Sequence, residues 1–240
     1  MNVLAIGNSF SEDATRYIYG IARADGAQIS VVNLYIGGCS LERHFRNMLS
    51  DRRVYELQYN GCPTGFNVSL SEALLNCEWD VITFQQASHK SFDCKSYEPY
   101  ISELAAYARK YAPKAKIYIH QTWAYEENSH RLLNIAKYDT PKAMLDDVVK
   151  SYDLAAKSIN ADGIIPSGEL FARLIENGIG SIHRDTFHAS LGIGRYALGL
   201  LWYSTLYKRS IADNGFCDFD EDISSEATAV IKSCVDSFLK

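Results

Sequence analysis

The chain has 240 residues, 47% of them hydrophobic and 22% charged, and a formal net charge of −5. That length and apolar content suffice for a substantial core, read as one domain over residues 1–240 with no repeat, low-complexity tract or linker dividing it. Scattered Lys and Arg on a mildly acidic chain argue against a nucleic-acid-binding face, and no apolar run approaches the roughly 18 residues of a membrane span.

Val3-Leu4-Ala5-Ile6 is a continuous apolar run, the pattern of a strand covered on both faces. Gly7 breaks it, and a helix is expected over residues 12–24. After Asp25-Gly26 the Val- and Ile-rich residues 28–36 read as a second strand, stopped by Gly37-Gly38 and followed by a polar amphipathic helix over 41–49. Residues 55–69 alternate and carry Asn60-Gly61 and Pro63, the signature of an irregular hairpin excursion. A short helix over 70–75 leads to the third strand, 80–84, then to a helix over 97–111 closed by Pro113. The fourth strand, 116–120, precedes a long helix over 141–159 with Met144, Val148, Tyr152 and Ala155 at helical spacing. The fifth strand, 163–166, is followed by helices over 168–177, 191–207 and 224–239. Strand–helix alternation with apolar strands predicts an α/β fold. Its form is a three-layer α/β/α, flavodoxin-like, doubly wound five-stranded parallel sheet.

In such a sheet ligands bind beyond the carboxyl ends of the strands. Ser9 follows the first strand, Gly37 and Gly38 the second, Gln85 and Gln86 the third, and Gln121 and Trp123 the fourth. Asp185 and His188 come just before the helix at 191. Three residues apart, their side chains can meet, leaving the second ring nitrogen for Ser9. Ser9, His188 and Asp185 are then the nucleophile, base and orienting carboxylate of hydrolytic acyl transfer, since a serine hydroxyl attacks only once a base takes its proton. The Ser9 and Gly38 N–H groups with a Gln85 or Gln86 amide suit the oxyanion of the tetrahedral intermediate.

Plainer readings stand beside these. Ser9-Phe10-Ser11-Glu12 is also a capping box ahead of a helix. His183, Asp185 and His188 could be metal ligands, although no distant fourth partner is evident. Trp123, Tyr125 and Phe92 could stack on a sugar ring or simply fill the core. The six cysteines form no CxxC pair and read as buried small hydrophobes, with disulfides the alternative in a secreted form. With no basic leader ahead of the first strand, cytoplasmic residence is expected for the chain as it stands, and secretion if a signal preceded it.

These blocks resemble the SGNH (GDSL-like) hydrolase superfamily, and within it a branch whose members open with G-N-S-F-S. Ser9 matches the first block, Gly38 in Gly37-Gly38-Cys39-Ser40 the second, and Asp185 and His188 the D-x-x-H block. The resemblance runs from Val3 to about Tyr207 and is most specific over His183-Arg184-Asp185-Thr186-Phe187-His188-Ala189-Ser190. Two positions depart from it: Asn8 stands where aspartate is commonest, and Phe84-Gln85-Gln86-Ala87-Ser88 replaces the third-block G-x-N-D. Some carbohydrate-directed members carry glutamine there, so the resemblance implies Gln86 as the third oxyanion donor, with Gln85 and Ser88 as substitutes. It further implies a serine esterase needing no metal or organic cofactor and acting on a small-molecule or glycan ester, with O-acetyl groups on carbohydrate favoured. Gln85, Gln121 and Trp123 are the substrate-binding candidates. A non-catalytic carbohydrate- or phosphate-binding module is the alternative. Neither nucleic acid nor membrane is expected as a partner, and the oligomeric state is left open.

Overall fold

Val3 and Ala5 of β1 (Asn2–Gly7) enter one hydrophobic cluster while Leu4 and Ile6 enter another, because helices cover both faces of the sheet that β1 centres. The computed structural model describes every residue but Ser181 and Lys240. On one side of β1 lies β2 (Ser30–Tyr35); on the other lie β5 (Val81–Phe84), β6 (Lys116–His120) and β7 (Gly163–Ile165), all parallel. These are the five strands expected from the apolar runs, in flavodoxin-like order.

The sheet has seven strands rather than five. Residues 55–69 form β3 (Tyr55–Tyr59) and β4 (Cys62–Val68), and β3 pairs antiparallel with β2 at the sheet edge. Asn60 and Gly61, with φ of 50° and 80°, make the two-residue turn between them, a conformation that asparagine and glycine tolerate best. β4 is the outermost strand and largely exposed, which is where Pro63 does least harm to a hydrogen-bonded ladder.

Helices α1 (Ser9–Thr15), α2 (Ile18–Ala24), α7 (Ser167–Glu176), α8 (Ile193–Tyr207) and α9 (Ser225–Asp236) cover the Val3 face. Helices α3 (Leu41–Ser50), α4 (Leu70–Leu75), α5 (Tyr100–Tyr111) and α6 (Pro141–Ser158) cover the Leu4 face. The helix expected over 12–24 begins earlier, at Ser9, and is broken after Thr15, whose hydroxyl donates back to Ser11 O at 2.8 Å. Such back-bonding bends helices. The helix expected from 97 starts at Tyr100, behind Pro99, which has no N–H to continue a preceding turn.

All six cysteines are free thiols, but only Cys39 and Cys234 are buried. Cys62, Cys77, Cys94 and Cys217 are exposed, so the expectation of buried small hydrophobes fails for those four. They sit on the edge strand β4, after α4, in the turn before α5 and in the loop after α8, where no second layer covers them. Among the described residues no helix is long and apolar enough to cross a membrane.

Candidate active site

Chain direction changes sharply at the end of β1, and Asn8 secures the change. Its side-chain oxygen accepts the Phe10 N–H at 3.0 Å and the Gln85 Nε2 amide at 2.7 Å, while its own amide donates to Cys39 O at 3.0 Å. One asparagine thereby caps α1 and ties the turns after β1, β2 and β5 together. Because Asn8 takes the cap, Ser9 occupies the first helical position with its hydroxyl free, and the capping-box reading of Ser9 is overturned.

Ser9 Oγ lies 2.8 Å from His188 Nε2, across 179 residues of sequence. His188 Nδ1 lies 2.7 Å from Asp185 Oδ2, and the His188 backbone N–H donates to Asp185 Oδ1 at 2.8 Å. Partial burial works against the Asp185 carboxylate, but hydrogen bonds from the His188 ring and from the His188 and Phe187 backbones outweigh it and hold the group below its usual range. The Phe187 ring packs on the imidazole with centroids 3.8 Å apart.

The loop carrying these residues is pinned at several points. Arg184 N donates to His188 O at 3.0 Å, Glu126 N to Thr186 O at 2.8 Å and Trp123 Nε1 to Phe187 O at 2.7 Å. Between Asp185 and His188, Thr186 sits at φ 73°, a left-handed conformation that a β-branched residue adopts only under constraint. Arg184 grips the buried Asp13 on α1 and also donates to Ala189 O. Arg195 holds Asp13 from α8 at 2.9 Å and reaches Asp220 at 2.7 Å, and Arg16 closes the network on Asp220.

Gly38 has φ 60° and open space around the position a Cβ would take. Its backbone N–H has no partner among the described residues, and the Ser9 N–H, first in its helix, lies outside the intrahelical bonds. Both line a cleft of about 340 Å³, together with Tyr35, Ser88, Tyr125 and Arg131. A larger cavity of about 620 Å³ opens beside Met1, Trp79 and Lys114, and none of Ser9, Gly38, Ser88 and His188 lines it.

Four expected site residues are not brought to this cleft. Gln86 Oε1 accepts from Leu41 N at 3.0 Å and Ala87 N at 2.9 Å, and its amide donates to Ser96 O and Oγ at 3.0 and 3.1 Å. It is fully buried with every polar atom engaged, so it has no donor to spare for an oxyanion. Gln85 lies behind Asn8, its Oε1 3.0 Å from His120 Nδ1. Gln121 serves the start of α7, accepting from Gly168 and Glu169 N–H at 3.1 and 3.2 Å and donating to Glu169. Trp123 is wholly buried, stacked on Phe10 at 4.1 Å, and faces no solvent. These three position the turns and helix ends around the cleft instead of lining it.

In their place the turn after β5 contributes Ser88, whose Oγ accepts from Tyr125 OH at 3.1 Å and keeps its own proton to donate. Tyr35, Phe187 and Arg131 line the cleft although sequence reasoning does not single them out. Phe187 lay in plain view inside the Asp185–His188 block, whereas no periodicity marks Arg131. His183 turns away and donates to Ala124 O at 3.2 Å. Among the described residues no three His, Cys, Asp or Glu side chains converge on a metal-sized site.

Comparison with known proteins adds the family. A DUF4886 structure from Bacteroides uniformis ATCC 8492 is 30% identical over 99% of this chain and 93% of its own, with a TM-score of 0.90. A candidate SGNH hydrolase from Slackia heliotrinireducens (21% identity, 86% of this chain, 98% of its own, TM-score 0.60) shares the fold. So does Axe2, an acetylxylan esterase from Geobacillus stearothermophilus (14% identity, 93% of this chain, 96% of its own, TM-score 0.52). No curated protein matches. A family profile described as a domain of unknown function, DUF4886, matches residues 2–237, and the chain belongs to that family.

Proposed function

We propose that this chain is a serine ester hydrolase, and the observation that carries the reading is the unbroken hydrogen-bonded series Ser9 Oγ, His188, Asp185 at 2.8 and 2.7 Å. His188 Nε2 takes the hydroxyl proton as Ser9 attacks an acyl carbonyl, and the Asp185 carboxylate, held ionised, stabilises the imidazolium that results. The Ser9 and Gly38 N–H groups and the Ser88 hydroxyl are the oxyanion donors in this scheme, with Ser88 replacing the engaged Gln86. The same imidazolium then protonates the leaving alcohol, and water attacks the acyl-enzyme by the reverse route.

A cleft of about 340 Å³ lies near the small end of ligand sites and favours a short acyl group such as acetyl. The half-buried Tyr35 offers an aromatic ring suited to packing against a sugar alcohol. Comparing p-nitrophenyl acetate turnover by wild type and Ser9→Ala is the direct test: equal rates end the proposal. The engaged Gln86 amide favours a second reading, a carbohydrate- or phosphate-binding module without turnover. A serine-directed phosphonate separates the two, since a competent nucleophile is labelled at Ser9 and an idle one is not.

A further inference from the structure

Within the cleft over Ser9, charge is distributed unevenly. None of its lining residues carries a carboxylate, and Arg131 is its sole Lys or Arg among the described residues. Arg131 makes no hydrogen bond or ion pair with any described residue, although Glu126 and Glu127 stand only a few positions earlier in the chain. Its guanidinium instead lies 3.6 Å from the centroid of the Phe187 ring, on the residue next to His188. That contact fixes the planar fork at the rim while leaving its five N–H donors uncommitted.

The backbone beneath Arg131 is held firmly. It opens a π-helical turn (Arg131–Ala136) anchored by the fully buried Leu132, whose N–H donates to Ser129 Oγ at 3.1 Å. Such wide turns are uncommon and often found at functional sites. At the opposite end of the cleft Tyr35 lies in the field of Glu12 and Glu56, which, after burial, push its phenol upward. A negative group entering the cleft therefore meets one unpartnered guanidinium, on the Phe187 side and away from Tyr35.

We infer that the substrate is an ester bearing a carboxylate, and that Arg131 selects it by binding that carboxylate at the Phe187 side of the cleft. A guanidinium suits the role because its parallel N–H donors match both oxygens of a planar anion. The inference rests on the hydrolase reading for the word substrate, but the anion site itself does not require turnover.

The test pairs 4-acetoxybenzoate with its methyl ester, which present the same acetyl group with and without a charge. Relative to Arg131→Gln, wild type favours the charged ester in kcat/KM by roughly ten- to hundredfold, the difference lying mainly in KM, and Arg131→Lys keeps part of it. A disturbed His188 slows both esters alike, so their ratio isolates the anion. A ratio that Arg131→Gln leaves unaltered overturns the inference. In parallel, calorimetry measures binding of 4-acetamidobenzoate and 4-acetamidobenzamide to Ser9→Ala with and without Arg131→Gln. Arg131-dependent preference for the carboxylate, together with a wild type that hydrolyses neither ester, keeps the anion site and removes the hydrolase reading. Ser9-dependent turnover of both esters with no charge preference in either assay does the reverse.

Discussion

Arg184 grips both oxygens of the Asp13 carboxylate at 2.9 Å, so the residue before Asp185 is fastened to the helix that begins with Ser9. Asp13 is fully buried and shared with Arg195, which means that Arg184→Met strips one partner without leaving the carboxylate alone. A stability loss of about 1–3 kcal/mol is expected in urea unfolding. Turnover should fall as well, in kcat more than KM, because the Asp185–His188 loop loses its register against Ser9. Asp13→Asn weakens both ion pairs at once and should cost more than Arg184→Met, although Arg195 keeps its bond to Asp220. Full kcat in Arg184→Met would show that the loop is positioned by its backbone bonds alone.

Ser9, His188 and Asp185 form one hydrogen-bonded unit, and units of this kind respond to mutation non-additively. Ser9→Ala and His188→Ala should each lower ester kcat by about 10⁴-fold or more, and the double variant should be no worse than either. Ser9→Ala should leave stability within about 0.5 kcal/mol of wild type, since Asn8 rather than Ser9 caps the helix. Multiplying single-variant losses in the double variant would mean that the two side chains act independently.

Gln86 and Ser88 stand two residues apart, and their variants should divide differently between rate and stability. Ser88→Ala removes a cleft hydroxyl and should lower kcat by about a hundredfold, its stability cost confined to the one buried Tyr125 hydroxyl it leaves unpaired, about 1–3 kcal/mol. Gln86→Ala orphans the buried Leu41 and Ala87 N–H groups and should destabilise the protein, at about 1–3 kcal/mol per orphaned group. Thermal unfolding and initial rates measured on both variants check the assignment; the reverse pattern would restore Gln86 as the oxyanion donor.

The difference between those two residues explains what sequence reading reaches. Val3 to Ile6 announce a doubly covered strand because burial on both faces demands an unbroken apolar run, and the remaining parallel strands follow suit. Ser9, Gly38, Asp185 and His188 are legible as a set because each falls just after a strand or before a helix where the fold collects polar groups. Past Phe84, however, the chain leaves the strand, and period-two alternation no longer says which way Gln85, Gln86 or Ser88 points. Asn8 and Ser9 are both good caps, so only the backbone angles at Asn8 decide between them. Trp123 has the bulk for either a binding platform or a core, and its burial against Phe10 and Phe171 depends on helices distant in sequence. Arg131 sits on an irregular turn that leaves no periodic trace.

Two buried histidines make acid stability a further test. Burial pushes the pKa of both His44 and His120 down to about 3. His120 is wedged between Gln85 Oε1 and Ser167 Oγ at 3.0 and 3.1 Å, against the edge of Trp202. His44 meets the Tyr55 hydroxyl at 3.0 Å through Nδ1, while its Nε2 finds no partner among the described residues. In the unfolded chain each takes up a proton near pH 6.5, which the folded protein refuses until about pH 3. Between those values the unfolded state binds more protons, so the stabilisation is complete above pH 6.5 and drains away as the pH falls. Each ring should contribute a slope of about 1.4 kcal/mol per pH unit to the loss. His44→Phe keeps an aromatic ring beside Tyr55 but has nothing to protonate. Its unfolding free energy, measured in urea from pH 7 to pH 4, should therefore decline less steeply than that of wild type by about that slope. Parallel declines would mean that His44 is protonated within the fold, with solvent reaching a ring that packing otherwise seals.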